Sequence, residues 1–444
     1  MPRRRGGRRV PIRPGDRPSP RRTPARSQRV APLGGVGSQV QRMTAIGVGV
    51  VAAGSLIVAA VLLVARGGSG PACTPDPSGW NGAGGGPAQR GSAQLAVRDP
   101  GSRWSPVWTS PDSAGHLTAP PSAARGLVFN VRSDGTLVAL AAGDGGLRWT
   151  SPPGGGESGA GMVAVALDGC SAVVATSRQQ AATQLTGAVR AVDLDSHQRR
   201  WGVSSADFVL AAPEIEQGIV YAGIAQPRPG GGAFDRDYYL DGYAENDGSR
   251  GYRKRFQAGL IAPPTSDGEH VWIGDLDNSF YALGPGARQL WSFSTGGIIS
   301  AGAVDGGSSL YVASADHNLY ALEHDAPRER WHADAGSPIE VAPVLVDTTV
   351  VAAGRDGRVI AVDSQSGKVR WSVDIGAVVT HGLAAAGNRV AVIDDGGVMH
   401  LLDVASGLER GRWTAPAPPS GGPAVYGGRL LVTCADGRLY ALPL

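Results

Sequence analysis

Residues 355–371 read RDGRVIAVDSQSGKVRW: an Asp-bearing turn, a strand of alternating apolar residues, a second turn and a strand that ends in Trp. The same order recurs at 133–149, 275–291, 315–331 and 395–413, and more loosely at 187–201 and 238–256. Self-similarity at a regular spacing is the sequence signature of a repeat architecture, in which each repeat is one supersecondary unit. The fold of the chain therefore follows from the structure of one repeat and from its repetition.

Each repeat contains four predicted strands. The unit that ends in an aromatic residue supplies two of them, and a preceding pair of short β-branched segments, as in 341–353 and 209–222, supplies the other two. A four-stranded antiparallel sheet that recurs about every 40 residues is typical of a propeller blade. Because Trp is large enough to pack between neighbouring blades, the aromatic anchors are interpreted as core. The anchors are Trp108, Trp149, Trp201, Phe256 in the place of Trp, Trp291, Trp331, Trp371 and Trp413.

The two ends of the repeat region complement each other. The last unit, 429–442, stops before its Trp strand, whereas 104–109, WSPVWT, is a Trp strand without a preceding unit. Trp108 is therefore predicted to supply the outer strand of the final blade, which closes the ring and leaves no open sheet edge. The sequence predicts an all-β fold over 104–444, an eight-bladed β-propeller of four-stranded antiparallel blades. The 67 Gly and 32 Pro among 444 residues suit many short strands joined by tight turns.

The segment before the propeller has three parts. Residues 1–42 contain twelve Arg and one acidic residue, and we expect this tail to be disordered. Residues 43–65 carry no charge and would reach about 35 Å as a helix, which predicts a transmembrane helix. Residues 66–103 are rich in Gly and Pro and are predicted to be a flexible linker.

The charge bias around residues 43–65 predicts the orientation in the membrane. Arginines before the span place the N-terminus in the cytoplasm and the propeller on the exoplasmic side of the cell membrane, as a single-pass protein. The alternatives are a cleaved signal peptide and a lipoprotein processed at Cys73. Small residues at Ala45, Gly49 and Ala53 would permit a dimer through the transmembrane helix.

The net charge of +3 hides an asymmetry, because the basic tail outweighs an acidic remainder. No nucleic-acid partner is therefore expected for the folded part. Cys73, Cys170 and Cys434 have no metal-site spacing and are too few for a disulfide framework. In an oxidising compartment one pair could form and leave one free thiol.

The stretch 361–371, AVDSQSGKVRW, resembles the consensus repeat of pyrroloquinoline-quinone-like propellers: Ala, one residue, Asp, two residues, Thr, Gly, three residues, Trp. Ser366 stands where that consensus has Thr. The resemblance implies one of two branches. One branch comprises quinoprotein dehydrogenases that hold the quinone with a calcium or lanthanide ion at the ring axis. The other comprises non-catalytic propellers, such as the lipoprotein of the outer-membrane β-barrel assembly machinery and sensory domains attached to actinobacterial kinases.

The non-catalytic branch is favoured by what the sequence lacks. The dehydrogenases carry adjacent cysteines against the quinone and long covering loops, whereas this chain has no adjacent cysteines and minimal blades. No serine-hydrolase, metalloprotease or phosphate-loop motif occurs in the sequence either. We therefore expect no catalytic residues, no metal ligands and no cofactor, with pyrroloquinoline quinone and calcium as the alternative.

Two sets of residues are candidates for ligand or partner contact. Glu340, Thr380 and His381 begin the inner strands of adjacent blades and are expected near one another at the mouth of the central channel. They could form an acid–base or ligand-binding group, or they could be solvated channel residues. Arg228, Phe234 and Arg236 lie in the insertion 225–237, which is either a protruding contact loop or a tolerated insertion. The predicted function is a membrane-tethered extracytoplasmic scaffold that binds a protein or ligand in envelope assembly or sensing, with a quinone-dependent dehydrogenase as the alternative.

Overall fold

A computed structural model describes residues 104–154, 163–168, 170–181, 184–205, 208–230 and 235–444. The predicted tail (1–42), transmembrane helix (43–65), linker (66–103) and Phe234 lie outside the described residues. Within the described ranges no helix is long and apolar enough to cross a membrane. These ranges comprise the repeat region.

The described residues form thirty-three strands in eight antiparallel sheets. The first strand of the described residues is β1 (Trp108–Thr109). Two short 3-10 helices, Asp112–Ala114 and Pro285–Ala287, lie between strands. Blade 1 contains β2 (Ser122–Ala124), β3 (Leu127–Val131), β4 (Leu137–Ala141) and β5 (Leu147–Ser151), and blade 2 contains β6 (Val163–Leu167), β7 (Ser171–Ala181), β8 (Gln184–Asp193) and β9 (Arg199–Ser205). Blade 3 contains β10 (Phe208–Val209), β11 (Glu214–Glu216), β12 (Ile219–Pro227), β13 (Arg236–Ala244) and β14 (Arg250–Phe256). Blade 4 contains β15 (Thr265–Ser266), β16 (Val271–Gly274), β17 (Ser279–Gly284) and β18 (Arg288–Ser294). Blade 5 contains β19 (Val304–Asp305), β20 (Ser309–Ala313), β21 (Asn318–Glu323) and β22 (Glu329–Asp334), and blade 6 contains β23 (Val344–Val346), β24 (Thr349–Ala353), β25 (Arg358–Asp363) and β26 (Val369–Asp374). Blade 7 contains β27 (Leu383–Ala386), β28 (Arg389–Ile393), β29 (Val398–Asp403) and β30 (Glu409–Thr414). Blade 8 contains β31 (Ala424–Tyr426), β32 (Arg429–Thr433) and β33 (Leu439–Pro443).

The ring closes through β1. The sheet of blade 8 has the order β1-β33-β32-β31, with Trp108 opposite Ala441 and Thr109 opposite Tyr440. The predicted eight-bladed propeller and its closure by Trp108 are confirmed. Because β1 pairs with the last strand, the edge of β33 is covered and the two ends of the repeat region are joined in one sheet.

The hydrophobic core lies between neighbouring blades. Along the inner strands successive side chains point to opposite faces of the sheet, so one set of apolar side chains faces each adjacent blade. Val350 and Ile360 of blade 6, for example, pack in one cluster with Tyr311 and Trp331 of blade 5. All four side chains are buried. Burial of apolar surface stabilises by roughly 25 cal/mol per Å². The apolar contacts between neighbouring blades therefore stabilise the ring.

The Trp anchors join one blade to the next. The indole Nε1 of Trp371 donates to the carbonyl oxygen of Val404 at 2.7 Å, and Trp201 donates to Glu245 at 2.6 Å. In each case the acceptor lies in the turn after the third strand of the following blade. Trp108 makes the equivalent bond of 3.1 Å to Ala142, which ties blade 8 to blade 1.

Two of the predicted anchors occupy a different register. In five blades Trp lies opposite the residue that precedes a register shift in the third strand, as Trp371 lies opposite Ala361. In blade 3 that position belongs to Tyr252, opposite Gly242, whereas Phe256 pairs with Tyr238. The interpretation of Phe256 as the replacement for Trp was therefore wrong in register, although the side chain is buried.

Blade 7 shows the same departure at its outer strand. Gly411 takes the anchor position opposite Leu401, and Trp413 lies two residues farther on, opposite Met399. Trp413 is nevertheless buried and contacts the ring of Tyr440 in blade 8, with ring centroids 5.5 Å apart. Its interpretation as core is therefore correct, but its register is not that of the other anchors.

Blades 2 and 3 depart from the regular pattern by their long hairpins. β7 and β8 span 11 and 10 residues, and β12 and β13 span 9 each, whereas the equivalent β24 and β25 of blade 6 span 5 and 6. The short β10 pairs with the extension of β12, and Ser177 of β7 donates to the Val209 carbonyl at 2.7 Å. Residues 225–227 and 236–237 of the insertion therefore continue the paired strands β12 and β13, whereas residues 231–234 lie outside the described residues.

Candidate functional site

The antiparallel order of the strands assigns every turn to one of two faces. The face that carries the start of each inner strand also carries the turn between the second and third strands, and we call it the upper face. The turns between the first and second and between the third and fourth strands lie on the opposite, lower face. Glu340, Thr380 and the 225–237 insertion therefore share the upper face.

A small cavity of about 130 Å³ lies on the upper face where the inner strands of blades 4 to 7 begin. Its lining includes Glu340, Thr380 and His381, so the structure brings these three candidates together as expected from their equivalent positions. Their function is not tested by this geometry and stays a prediction. The lining residues are Pro263, Ser300, Ala301, Gly302, Glu340, Val341, Ala342, Thr380, His381, Gly382 and Leu383.

Glu340 is held by an arginine that the sequence pattern did not single out. Nη1 of Arg355 lies 3.0 Å from each carboxylate oxygen of Glu340. Arg355 occupies the turn between β24 and β25, immediately above the start of β23, and its side chain is more than half exposed. The wall of the cavity in blade 6 is therefore an exposed ion pair that a charged partner group could reach.

The equivalent turn of blade 7 carries an acid. Oδ1 of Asp395 accepts hydrogen bonds from the backbone N–H of Thr380 at 3.0 Å and from its hydroxyl at 2.8 Å. Nε2 of His381 lies 3.9 Å from the same oxygen. Burial lowers the pKa of His381, and the nearby Asp395 carboxylate offsets part of that effect. His381 is consequently neutral at pH 7 and can donate or accept a hydrogen bond.

The repeat itself could have indicated Arg355 and Asp395. Both follow the same pattern, in which the backbone N–H of the turn donates to the segment before the inner strand: Arg355 to Pro338 and Asp395 to Val378, each at 2.8 Å. The residues at the equivalent turn position in blades 4 and 5 are Leu276 and Ala315. Charges of opposite sign at one repeat position in adjacent blades are the signal that sequence reasoning missed.

Two large apolar side chains are exposed on the upper face, and one of them lies next to Asp395. Val378 is 43% exposed and lies next to the Asp395 turn, and Leu276 is 40% exposed at the equivalent turn of blade 4. Exposed apolar surface that is rimmed by polar residues marks sites where proteins bind one another. We call the set Leu276, Arg355, Val378 and Asp395, together with the cavity, the upper-face patch.

The candidates in the insertion do not join the cavity. Nε of Arg228 lies 3.1 Å from Asp237 Oδ1, and its Nη2 donates to the Arg236 carbonyl at 3.1 Å. Nη1 of Arg236 donates to the carbonyl of Asp235 at 3.1 Å. Both arginines thus serve their own hairpin in blade 3, on the same face as the cavity but in a separate group. Phe234 is outside the described residues.

The cavity does not fit the quinone that the fold resemblance raises as an alternative. A tricyclic quinone with three carboxylates needs a flat slot with an aromatic floor, more volume than about 130 Å³ and unpaired cations. Among the lining residues the only aromatic ring is the imidazole of His381, and the only carboxylate, Glu340, is already paired with Arg355. These residues therefore support no reaction step through a quinone. The expectation that the protein carries no cofactor stays a prediction.

The closed ring, its Trp docking and its repeat define a propeller of the quinoprotein-like class. The sequence pattern of the family described as outer membrane protein assembly factor BamB matches residues 103–208, 283–376 and 355–443, which together cover more than half of the chain. The chain belongs to that family. No protein with a curated description matches the sequence.

Solved structures show the same fold. BamB from Moraxella catarrhalis is 18% identical with a TM-score of 0.61, over 77% of this chain and 100% of that chain. The quinohemoprotein alcohol dehydrogenase from Comamonas testosteroni is 13% identical with a TM-score of 0.63, over 86% and 82%. A europium-containing methanol dehydrogenase is 10% identical with a TM-score of 0.66, over 83% and 98%. At these identities the likeness shows the fold alone, and it includes both branches.

Proposed function

We propose that this chain is a membrane-tethered extracytoplasmic scaffold whose upper-face patch binds a protein partner in envelope assembly. Membership of a family described as an outer membrane protein assembly factor supports a role as a protein-binding scaffold. The membrane tether is inferred from the apolar stretch 43–65 and the arginines before it.

The upper-face patch is the observation that carries the proposal. An exposed arginine–glutamate pair, an acid that accepts from a threonine beside an imidazole, and two exposed aliphatic side chains lie on the upper face of blades 4, 6 and 7. A rigid surface of this kind suits a polypeptide, because its apolar anchors supply affinity and its charges select the partner. A cavity of about 130 Å³ accommodates one side chain of a partner and not a whole cofactor.

The redox state of the cysteines supports an exoplasmic location. Cys170 is disulfide-bonded, whereas Cys434 is buried and free. Structural disulfides persist in oxidising compartments and are rare in the cytosol. A disulfide at Cys170 therefore agrees with a propeller on the outer side of the membrane, as the charge bias of the N-terminal segment predicts.

Site-specific photocrosslinking in cells tests the proposal with a matched pair of positions. Val378 lies in the patch, whereas Val369 begins the outer strand of blade 6 and is equally exposed, at 42% against 43%. A photoreactive residue at 378 is expected to capture one protein reproducibly, and the same residue at 369 is not. The Arg355→Glu exchange should reduce the adduct at 378 several-fold, because it reverses the charge that faces the partner.

Two outcomes would overturn this assignment of the binding surface. One is equal capture from 369 and 378, and the other is an adduct at 378 that Arg355→Glu leaves unchanged. A quinone-dependent dehydrogenase is not proposed, because the residues of the cavity do not fit the quinone. Calorimetry with pyrroloquinoline quinone and excess calcium checks that judgement, and binding at one equivalent would contradict it.

A further inference from the structure

A second cluster of polar side chains lies on the lower face, at the junction of blades 4 and 5. Asp267 and His270 belong to the turn between β15 and β16 of blade 4, and His324 follows β21 of blade 5. One ligand atom from each of these three side chains lies within 4.8 Å of the other two. In the sequence the two histidines are 54 positions apart, so their spacing gives no metal-binding motif.

The distances within the cluster are those of ligands around one small cation. Oδ2 of Asp267 lies 3.1 Å from Nδ1 of His270 and 3.4 Å from Nε2 of His324. Ligand atoms bound at about 2.0–2.2 Å in a tetrahedral arrangement are about 3.4 Å apart. The two imidazoles meet at a right angle with centroids 5.5 Å apart, and a nitrogen atom of each lies near the same oxygen, Oδ2 of Asp267.

Further carboxylates complete the arrangement. Oδ1 of Asp305, a buried residue at the end of β19, lies 3.9 Å from Nε2 of His324 and is placed to become a fourth ligand. Oδ1 of Asp325 lies 2.6 Å from Nδ1 of His324. A metal-binding histidine characteristically donates its other nitrogen to a carboxylate, which fixes the tautomer and turns Nε2 toward the metal.

The surroundings of the cluster leave the charge of Asp267 without a fixed cation. In the described part of the chain no arginine or lysine forms an ion pair with Asp267. The indole of Trp272 packs against both imidazoles, at centroid distances of 5.6 Å to His270 and 4.8 Å to His324, and limits their movement. The ligand atoms are therefore held in place by packing and by Asp325.

We propose that Asp267, His270 and His324, with Asp305 as a fourth ligand, form a binding site for a divalent transition metal of the zinc class that joins blades 4 and 5. Two imidazole nitrogens and carboxylate oxygens suit zinc and its neighbours, whereas calcium and magnesium prefer oxygen ligands alone. Because the ligands come from two blades, the bound metal acts as a clip across a blade junction. This site is separate from the upper-face patch and does not depend on the proposed function.

Zinc titration of the untagged full chain in detergent tests the site. The wild type is expected to bind one equivalent of Zn²⁺, to be stabilised against heat by it and to ignore Ca²⁺ at the same concentration. His324→Ala and Asp267→Asn should each lower the affinity at least 100-fold. Asp325→Ala removes only the carboxylate behind His324 and should cost about 10–100-fold. Cobalt substitution gives a second readout, since Co²⁺ bound by nitrogen and oxygen ligands absorbs in the visible range.

His332→Ala is the matched control. His332 also pairs with a carboxylate, Glu329 at 2.7 Å, but it lies on the exposed outer strand of blade 5. Zinc binding that His332→Ala leaves unchanged and His324→Ala abolishes supports the site. Absence of zinc binding to the wild type, or binding that survives both His324→Ala and Asp267→Asn, overturns it and leaves the cluster as two imidazoles that donate to one carboxylate. If His324→Ala fails to fold, Asp267→Asn and the cobalt spectrum decide.

Discussion

The indole Nε1 of Trp331 donates a hydrogen bond of 3.1 Å to the carbonyl oxygen of Ser364, which belongs to the next blade. Three residues farther on, Gly367 adopts a left-handed conformation with φ of +72°, and a Cβ at that position would lie 2.7 Å from Cγ of Trp331. The Trp thus packs face-on against a turn that has no side chain at its closest point. This pairing explains why the repeat carries Gly in its second turn and Trp at its end.

Gly367→Ala should therefore destabilise the folded state by more than the backbone strain that an alanine has in the left-handed conformation. Gly376 has nearly the same φ, +75°, and a Cβ added there would meet nothing within 4 Å, so Gly376→Ala measures the backbone cost, about 1–2 kcal/mol. Gly367→Ala should cost about 1–3 kcal/mol more, because Trp331 must shift. Urea unfolding of both variants checks this, and equal midpoints would show that the Trp docking is not tight.

The ion pair of the buried Asp241 in blade 3 should be far more important to stability than a neighbouring exposed one. The carboxylate of Asp241 is fully buried and accepts from Nε and Nη2 of Arg253 at 2.7 and 2.6 Å. Arg253→Leu leaves that charge without its closest partner and should cost about 3–5 kcal/mol. Arg255→Leu, two residues along the same strand, removes an exposed contact to Asp237 and should change the unfolding midpoint much less. Comparable losses in the two variants would contradict the role assigned to burial.

The repeat pattern predicted the structure that all blades share, but it did not predict the features that occur in a single blade. Trp108 could be assigned to the last blade because one unit lacked a Trp strand and another segment supplied it. The position of Tyr252 could not be predicted, because Tyr252 and Phe256 are four residues apart on one strand and their side chains therefore point to the same side of the sheet. The strand pattern does not determine which of the two lies opposite Gly242. The pairing of Glu340 with Arg355 and the meeting of His270 with His324 depend on side-chain directions in turns, which a strand pattern does not contain.

The three cysteines should differ sharply in reactivity. Burial raises the pKa of Cys434 to about 12, with a further contribution from Asp436, so its thiol is protonated at pH 8 and shielded from reagents. Cys170 is disulfide-bonded. Thiol titration at pH 8 should find no reactive group in the native protein, one after denaturation and three after denaturation with reduction. More than one thiol in the denatured, unreduced protein would show that the disulfide is absent.

The junction of blades 2 and 3 should make stability depend on pH near neutrality. Burial, with a further contribution from Asp168, raises the pKa of Glu245 from 4.5 to about 7, although Ser171 donates to its Oε1 at 2.6 Å. Because the folded state holds this proton more tightly than the unfolded state, the stabilisation is fully present below pH 4.5 and is lost as the pH rises through 7. Glu245→Gln keeps a neutral group at all pH values, so its stability relative to the wild type should increase from pH 5 to pH 8. Thermal unfolding at both pH values measures the difference. A constant difference between the two proteins would mean that Glu245 is already charged at pH 5, and that Arg200, 3.5 Å away, outweighs the effects of burial and of Asp168.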